Sequence, residues 1–259
     1  MHHLARHLAS FPMPVALLAL VALLPLPARA AEGLFLTWND CYQSPSAVSN
    51  VAFACNTNLG QNEMFCAFTM PQAATNVVAI EIVIDVQHSS SALPDWWQLS
   101  SGGCRGDAAQ FNLTASADFS GRTACVNMWQ GSPSAIANMQ GYIPSEPRGQ
   151  ASQARIKVTG SVLAPEAVTL DATNMYYAAR VSLKNNKTVG DPACLGCSDA
   201  ACLVMNSILI GRISGPDIVL QAPGPGDANW ARWQGGAGAD CAAVPVRNRA
   251  WGQLKGLYR

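Results

Sequence analysis

Histidine is scarce in this 259-residue sequence, and three of its four histidines lie within the first seven residues. If the N-terminal segment is removed, as argued below, His88 is the one imidazole that remains. Zinc and iron sites built from several histidines then lack their ligands. A Ser or Cys nucleophile would have to use His88 as its base and Asp85 to orient it, and no Gly-x-Ser-x-Gly motif accompanies them. The sequence therefore predicts no catalytic residue, no metal and no cofactor, and it favours a protein that is not an enzyme.

Charged residues are also few, at 12% of the chain. Once residues 1–30 are removed, 14 basic side chains stand against 16 acidic ones. Binding to nucleic acid needs a basic surface, so we expect no nucleic-acid partner. Long apolar runs are missing as well, because Val15–Leu24 is shorter than the roughly 20 residues that cross a bilayer. We therefore expect no transmembrane anchor in the mature chain.

The first thirty residues have the three parts of a secretory signal peptide. Basic groups near the start precede the apolar run Val15–Leu24, and Ala28-Arg29-Ala30 provides small residues at a cleavage site. The sequence predicts a signal peptide at 1–30, cleaved after Ala30. The mature protein is then exported to the periplasm, the cell surface or the medium.

All nine cysteines lie beyond this cleavage site, where an oxidising compartment would pair them. They are Cys41, Cys55, Cys66, Cys104, Cys125, Cys194, Cys197, Cys202 and Cys241. An odd number leaves at least one thiol unpaired. The pairings we expect are Cys104 with Cys125, Cys41 with Cys55 or Cys66, and Cys202 with Cys194 or Cys197.

The Cys194-Leu-Gly-Cys197 motif has three interpretations. Export favours a disulfide that pins a loop, the spacing also suits a redox-active dithiol, and three thiolates with Cys202 could bind zinc. A redox motif normally begins a helix after a strand, whereas this one follows Gly190-Asp191-Pro192 and precedes an apolar run. The disulfide is the interpretation that we favour.

Alternation of apolar and polar residues predicts strands along most of the chain. Val78–Val86 has apolar residues at every even position, and similar patterns occur at 154–159 and 177–184. Shorter candidate strands lie at 34–38, 51–55, 64–70, 108–114, 166–171 and 217–221, with a mostly apolar one at 202–210. Many short strands with almost no helical periodicity predict an all-β protein, an antiparallel β-sandwich of jelly-roll or immunoglobulin-like kind.

The mature residues 31–259 are long enough for one such sandwich. Pro144, Pro147 and Gly149 mark a loop near 143–152 that could instead divide two subdomains. One short helix is predicted near the C-terminus, where Trp251, Leu254 and Leu257 or Tyr258 share a face.

Four tryptophans are candidates for a ligand platform, because an exposed indole stacks well on a sugar or a peptide. They are Trp96, Trp97, Trp230 and Trp233. Since neighbouring residues of a strand face opposite sides, at most one of Trp96 and Trp97 is expected in the core. Packing in the core is the competing interpretation for each of the four.

Three segments of the sequence resemble a group of uncharacterised exported bacterial proteins. They are Pro94-Asp-Trp-Trp-Gln with Cys104-Arg, the Cys194-x-x-Cys197-x4-Cys202 run, and the ending Trp251-Gly-x-x-Lys255-x-Leu-Tyr-Arg259. The resemblance implies export and adds no activity, substrate or catalytic residue. The function that the sequence favours is a disulfide-stapled binding or structural module whose partner is an unknown protein or glycan. The alternative is a secreted carbohydrate-binding module, or a glycoside hydrolase that uses a pair of carboxylates.

Overall fold

The computed structural model describes residues 32–106, 112–222, 227–235 and 241. These residues form strands joined by loops, with two short 3₁₀ turns at Asp95–Trp97 and Ala164–Glu166. The strands are β1 (Gly33–Trp38), β2 (Asn50–Val51), β3 (Gln61–Thr69), β4 (Ala74–His88), β5 (Leu113–Ser116), β6 (Val126–Asn127), β7 (Ile136–Pro144), β8 (Gln153–Ser161), β9 (Val168–Leu170), β10 (Met175–Lys184), β11 (Ala201–Arg212), β12 (Ile218–Gln221) and β13 (Trp230–Trp233). The predicted signal peptide and the predicted C-terminal helix lie outside the described residues. In the described part of the chain, no helix has the length and apolar character to cross a membrane.

The strands form two sheets. The first has the order β1-β3-β10-β5, with β6 beside β10. The second has the order β2-β13-β11-β4-β8-β7, with β12 beside β11 and β9 beside β4. The pairs β6 with β10 and β2 with β13 are parallel, and the other strand pairs are antiparallel. This arrangement confirms the predicted all-β, largely antiparallel sandwich.

The core lies between the two sheets and follows the predicted alternation. On β4 the even positions from Ile80 to Val86 are buried, and on β8 Ala154, Ile156 and Val158 are fully buried. Trp38 and Met64 of the first sheet surround the same small void as Ile156 and Leu203 of the second. The apolar faces of the sheets therefore pack directly against each other, which removes them from water.

Strand β10 departs from simple alternation at a bulge between Tyr177 and Ala179. Tyr177 pairs with Ala67 and Ala179 pairs with Cys66, so the two residues lie on opposite faces of the first sheet. The alternating pattern predicted for residues 177–184, which would place Tyr177 and Ala179 on one face, is therefore wrong at Tyr177. Its ring instead stacks on Phe119 at 4.8 Å on the outer face of the sheet, where a loop covers it.

One side of the sandwich is closed by a segment that joins the sheets. The Leu34 carbonyl accepts a hydrogen bond from the Ala228 amide at 3.0 Å, and the Leu36 amide donates to the Ala228 carbonyl at 3.0 Å. The Asp227 carboxylate accepts from the Leu34 amide at 2.7 Å. Because residues 227–229 lead directly into β13, the free edge of β1 is tied to the second sheet.

Three loops gather at one end of the sandwich, which we call the loop end. Strand β11 begins beside the end of β4, where Ala201 pairs with His88, and β3 begins beside the end of β10, where Gln61 pairs with Lys184. The loops at 52–60, 89–106 and 185–200 therefore meet there. The connections at 162–167 and 213–217 lie at the opposite end, since Ala79 pairs with both Ser161 and Gly211.

Candidate functional site

Four disulfides are present among the described residues, and two of them join the loops of the loop end, but the pairs differ from those predicted. They are Cys41–Cys125, Cys55–Cys197, Cys104–Cys194 and Cys202–Cys241. Each of the expected pairings is wrong, because the partners are 39 to 142 residues apart and are brought together by sheet topology. The ninth cysteine, Cys66, is a free thiol in the core of β3, and burial raises its pKa to about 12.

The Cys194-Leu-Gly-Cys197 motif does not form its own disulfide. Cys194 bonds to Cys104 and Cys197 bonds to Cys55, so one tight turn is stapled to two different loops. Gly196 has a φ of 94°, and a Cβ there would lie 2.3 Å from the Pro94 Cβ, so the turn requires glycine. Sulfurs that are bonded in disulfides are not zinc ligands, and no group of metal-binding side chains occurs among the residues that the structure describes.

Three of the four candidate platform tryptophans are part of the core. Trp96, Trp97 and Trp233 are all fully buried, so none of them presents a ring face to a ligand. Trp96 and Trp97 lie on a 3₁₀ turn rather than on a strand, which is why both can point inward. Trp230 is partly exposed on β13, with the Arg232 guanidinium 5.2 Å from its ring centroid. The prediction of a ligand platform is therefore wrong for Trp96, Trp97 and Trp233.

The buried rings form a stacked column under the loops. The Arg105 guanidinium lies 3.8 Å from the centroid of the Trp96 ring, which stacks on Trp233 at 4.6 Å. Trp233 in turn stacks on Phe53 at 4.5 Å. Since Phe53 and Trp233 belong to different loops and strands, the column joins the 52–60 loop to both the 89–106 loop and β13.

Arg105 is a buried cation at the top of this column. Its side chain donates to the Trp96 carbonyl at 3.0 Å and to the Lys184 carbonyl, while its Nε has no hydrogen-bond partner. No carboxylate in the described ranges forms an ion pair with it. Burial lowers the pKa of this guanidinium to about 9, because the charged form is poorly solvated there. Its carbonyl contacts give it a structural role beneath the loop end.

The structure does not assemble a catalytic pair from His88 and Asp85. His88 Nδ1 is 2.6 Å from the Ser90 hydroxyl, in an exposed turn. Asp85 is fully buried and accepts two hydrogen bonds from Arg155, at 2.8 and 3.1 Å, and one from Asn206 at 2.7 Å. Burial raises the pKa of this carboxyl, and the bonds from Arg155 oppose the shift. Asp85 therefore holds β4 to β8 and β11.

A groove of about 430 Å³ opens at the loop end, and we call it the loop groove. It is lined by Asn58, Leu59, Asn186, Lys187, Val189, Gly190, Asp191 and Pro192. One wall is the loop before β3 and the other is the loop after β10. Its volume is in the range of sites that bind small molecules or short segments of a larger partner.

Hydrogen bonds fix the two walls of the loop groove relative to each other. The Asn58 side chain donates from Nδ2 to the Val189 carbonyl at 2.9 Å and accepts at Oδ1 from the Val189 backbone amide at 2.9 Å. Asn185 donates to the Leu59 carbonyl at 3.0 Å. The disulfide Cys55–Cys197 joins the same two loops a few residues away. The groove is thus built by covalent and polar links that do not depend on a ligand.

Two charged residues line the loop groove. The Lys187 ammonium donates to the Cys104 carbonyl at 2.9 Å, so its position is set by the stapled loop. Asp191 is exposed and forms no ion pair within the described residues. The groove therefore offers an anchored cation and an unpaired carboxylate.

No protein-family model and no curated protein matches the chain. Among solved structures, it is similar to the second type II cohesin module from the cellulosomal adaptor ScaA scaffoldin of Acetivibrio cellulolyticus, at 9% identity and a TM-score of 0.39. The alignment covers 80% of this chain and 98% of that module. A likeness this weak carries no argument, and the function has to be inferred from the loop end itself.

Sequence reasoning did not bring the residues that line the loop groove together into one surface. Leu59 follows a Thr-Asn pair in a turn, and only the structure shows that it is 80% exposed. Gly190-Asp191-Pro192 was identified as loop, but its partner across the groove lies more than 130 residues away at Asn58. An apolar residue inside a turn with Asn and Gly is the one local signal that could have indicated this surface.

Proposed function

We propose that this chain is an exported, non-enzymatic binding module whose ligand occupies the loop groove. The observation that carries the proposal is a concave surface whose walls are fixed in advance by the Asn58–Val189 bonds and by Cys55–Cys197. A site that is already ordered loses little conformational entropy when a ligand binds. Binding sites in sandwich proteins are commonly carried by loops at one end of a rigid body.

The four disulfides support export. Eight cysteines are paired in this way, and such bonds persist in oxidising compartments and are rare in the cytosol. The signal peptide at 1–30, cleavage after Ala30 and the single mature domain remain predictions. A periplasmic, surface or secreted location is compatible with these disulfides.

A carbohydrate-active protein remains the alternative prediction, but the structure offers it little support. The indoles that would have served as sugar platforms are largely inside the core, where Trp96 and Trp233 stack on each other. The residues that line the loop groove include no aromatic side chain. Stacking on a sugar ring would therefore need a surface other than this groove.

The test uses the full chain, expressed with its own N-terminal segment into an oxidising compartment. Three proteins are compared, namely the wild type, Leu59→Arg in the groove, and Leu163→Arg as a matched change at the opposite end. Leu163 is 63% exposed, so both substitutions replace an exposed leucine. Each protein is screened on a glycan array and against a random peptide library displayed on phage.

We expect at least one ligand that the wild type and Leu163→Arg retain and Leu59→Arg loses. Far-ultraviolet circular dichroism of the three proteins checks that the fold is unchanged. If neither screen yields a ligand that depends on Leu59, the loop groove is not the binding site and the proposal is refuted.

A further inference from the structure

We infer that the ligand of the loop groove is a protein segment that carries apolar side chains flanked by Lys or Arg. This inference rests on the proposed function and adds the chemical class of the ligand. Three features of the loop end support it: apolar side chains held in water, backbone groups without partners, and carboxylates without cations.

The apolar part of the surface is held rigidly in water. Leu59 is 80% exposed, although its amide donates to the Thr57 hydroxyl at 3.0 Å and its carbonyl accepts from Asn185. Val189 is more than one-third exposed, and its backbone is bonded to Asn58. On the same stapled loop Leu195 is 73% exposed, while its carbonyl accepts from the Trp96 amide at 2.8 Å. Side chains that cannot turn inward are covered best by an apolar partner.

The backbone between the walls is available to an extended chain. The amides of Gly190 and Asp191 and the carbonyl of Asp191 form no hydrogen bond with any other described residue. A Cβ built on Gly190 would meet no atom within 4 Å, so a partner can approach closely there. Polypeptides bind such segments through main-chain hydrogen bonds and use neighbouring pockets for their side chains.

Charge at the loop end favours a basic segment. The loops at 89–106 and 185–200, which the Cys104–Cys194 disulfide joins, expose Asp95, Asp191 and Asp199. No cation of the described residues forms an ion pair with any of these carboxylates. Lys187 lines the groove and keeps its positive charge, with its ammonium held by the Cys104 carbonyl, so three carboxylates outnumber this one partly exposed cation on the loops at 89–106 and 185–200. Lys or Arg side chains on either side of an apolar anchor would meet these carboxylates, which speeds association and sets its direction.

The experiment uses peptides enriched from the phage library, synthesised with a fluorescent label. Their Kd is measured by anisotropy against the wild type, Leu59→Ser, Asp191→Asn and Asp217→Asn. Asp217 is an exposed aspartate near the end of β11, away from the loop end, so it is the matched control for charge. Each peptide is also made with every Lys and Arg replaced by Glu.

We expect the enriched peptides to combine Leu, Ile, Val or aromatic residues with Lys or Arg. Leu59→Ser should weaken binding about tenfold or more, because an apolar contact of leucine size is lost. Asp191→Asn should weaken it roughly twofold to fivefold, as for an exposed ion pair, and this effect should shrink at high salt. Asp217→Asn should change nothing, and the Glu versions should not bind.

Other outcomes separate the two proposals. Enriched peptides that are acidic, or that bind as well in their Glu form, would overturn the inference on ligand class. Glycan binding that depends on Leu59, with no peptide binding, would refute this inference and leave the proposed function standing. Failure of both screens to depend on Leu59 would remove both.

Discussion

Removal of the disulfide Cys104–Cys194 should cost about 3 to 4 kcal/mol of the free energy of unfolding. The two cysteines are 90 residues apart, and the chain-entropy relation assigns about 4.6 kcal/mol to a loop of that size. The expected value is lower because the other three disulfides already restrain the unfolded chain. For a protein of this size the loss corresponds to a fall in Tm of roughly 10 °C.

The assay is denaturant unfolding of Cys104→Ala with Cys194→Ala, followed by tryptophan fluorescence without reductant. Cys66→Ala is the control, since it removes a buried thiol and no disulfide. A loss below about 1 kcal/mol would refute the reasoning, because it would mean that this bond does not restrain the unfolded chain. Peptide mapping that recovers a Cys194–Cys197 bond would refute it as well.

Three further predictions concern other parts of the molecule. The Cys66 thiol is buried and its pKa is raised to about 12, so a thiol reagent should label the native protein negligibly at pH 8 and label one site after denaturation; rapid native labelling would contradict this. Hydrogen bonds from Ser132 and Ser134 lower the pKa of Glu166, so replacing both serines with Ala should raise this pKa in an NMR titration. A carboxyl pKa that is lower in the folded state than in the unfolded state stabilises the fold at higher pH, and that stabilisation is lost as the pH falls through the folded pKa. An unchanged pKa in the double variant would show that the two serines do not cause the shift. Gly196→Ala should destabilise the protein by about 1 to 3 kcal/mol, because it adds a Cβ at positive φ; unchanged thermal unfolding would show that the turn tolerates a side chain.

Strands with one buried and one wet face were predictable from the sequence. Strand β4 has an uninterrupted alternation, and its buried residues are those that the period-two pattern indicated. Strand β7 was missed, because Asn138, Gln140 and Gly141 interrupt its apolar residues and a bulge breaks its pairing register. An edge strand is only half covered, so its sequence carries a weaker pattern.

The candidate site could not be predicted in the same way. Which cysteines pair, and which loops face each other, depends on strand order, and no local pattern encodes the distance from Asn58 to Val189. The tryptophans were predicted with the wrong geometry for a related reason. Trp96 and Trp97 were placed on a strand, where neighbours alternate, whereas a 3₁₀ turn directs both rings to the interior.

The link between β1 and residues 227–229 also has a consequence for synthesis of the chain. The bond from the Leu34 amide to Asp227 spans 193 residues, so the first strand gains its second neighbour only after residue 227 has been made. Contacts between such distant parts form late, because a large loop must close first. The edge of β1 would therefore stay open until residues 227–229 have left the ribosome or the translocation pore.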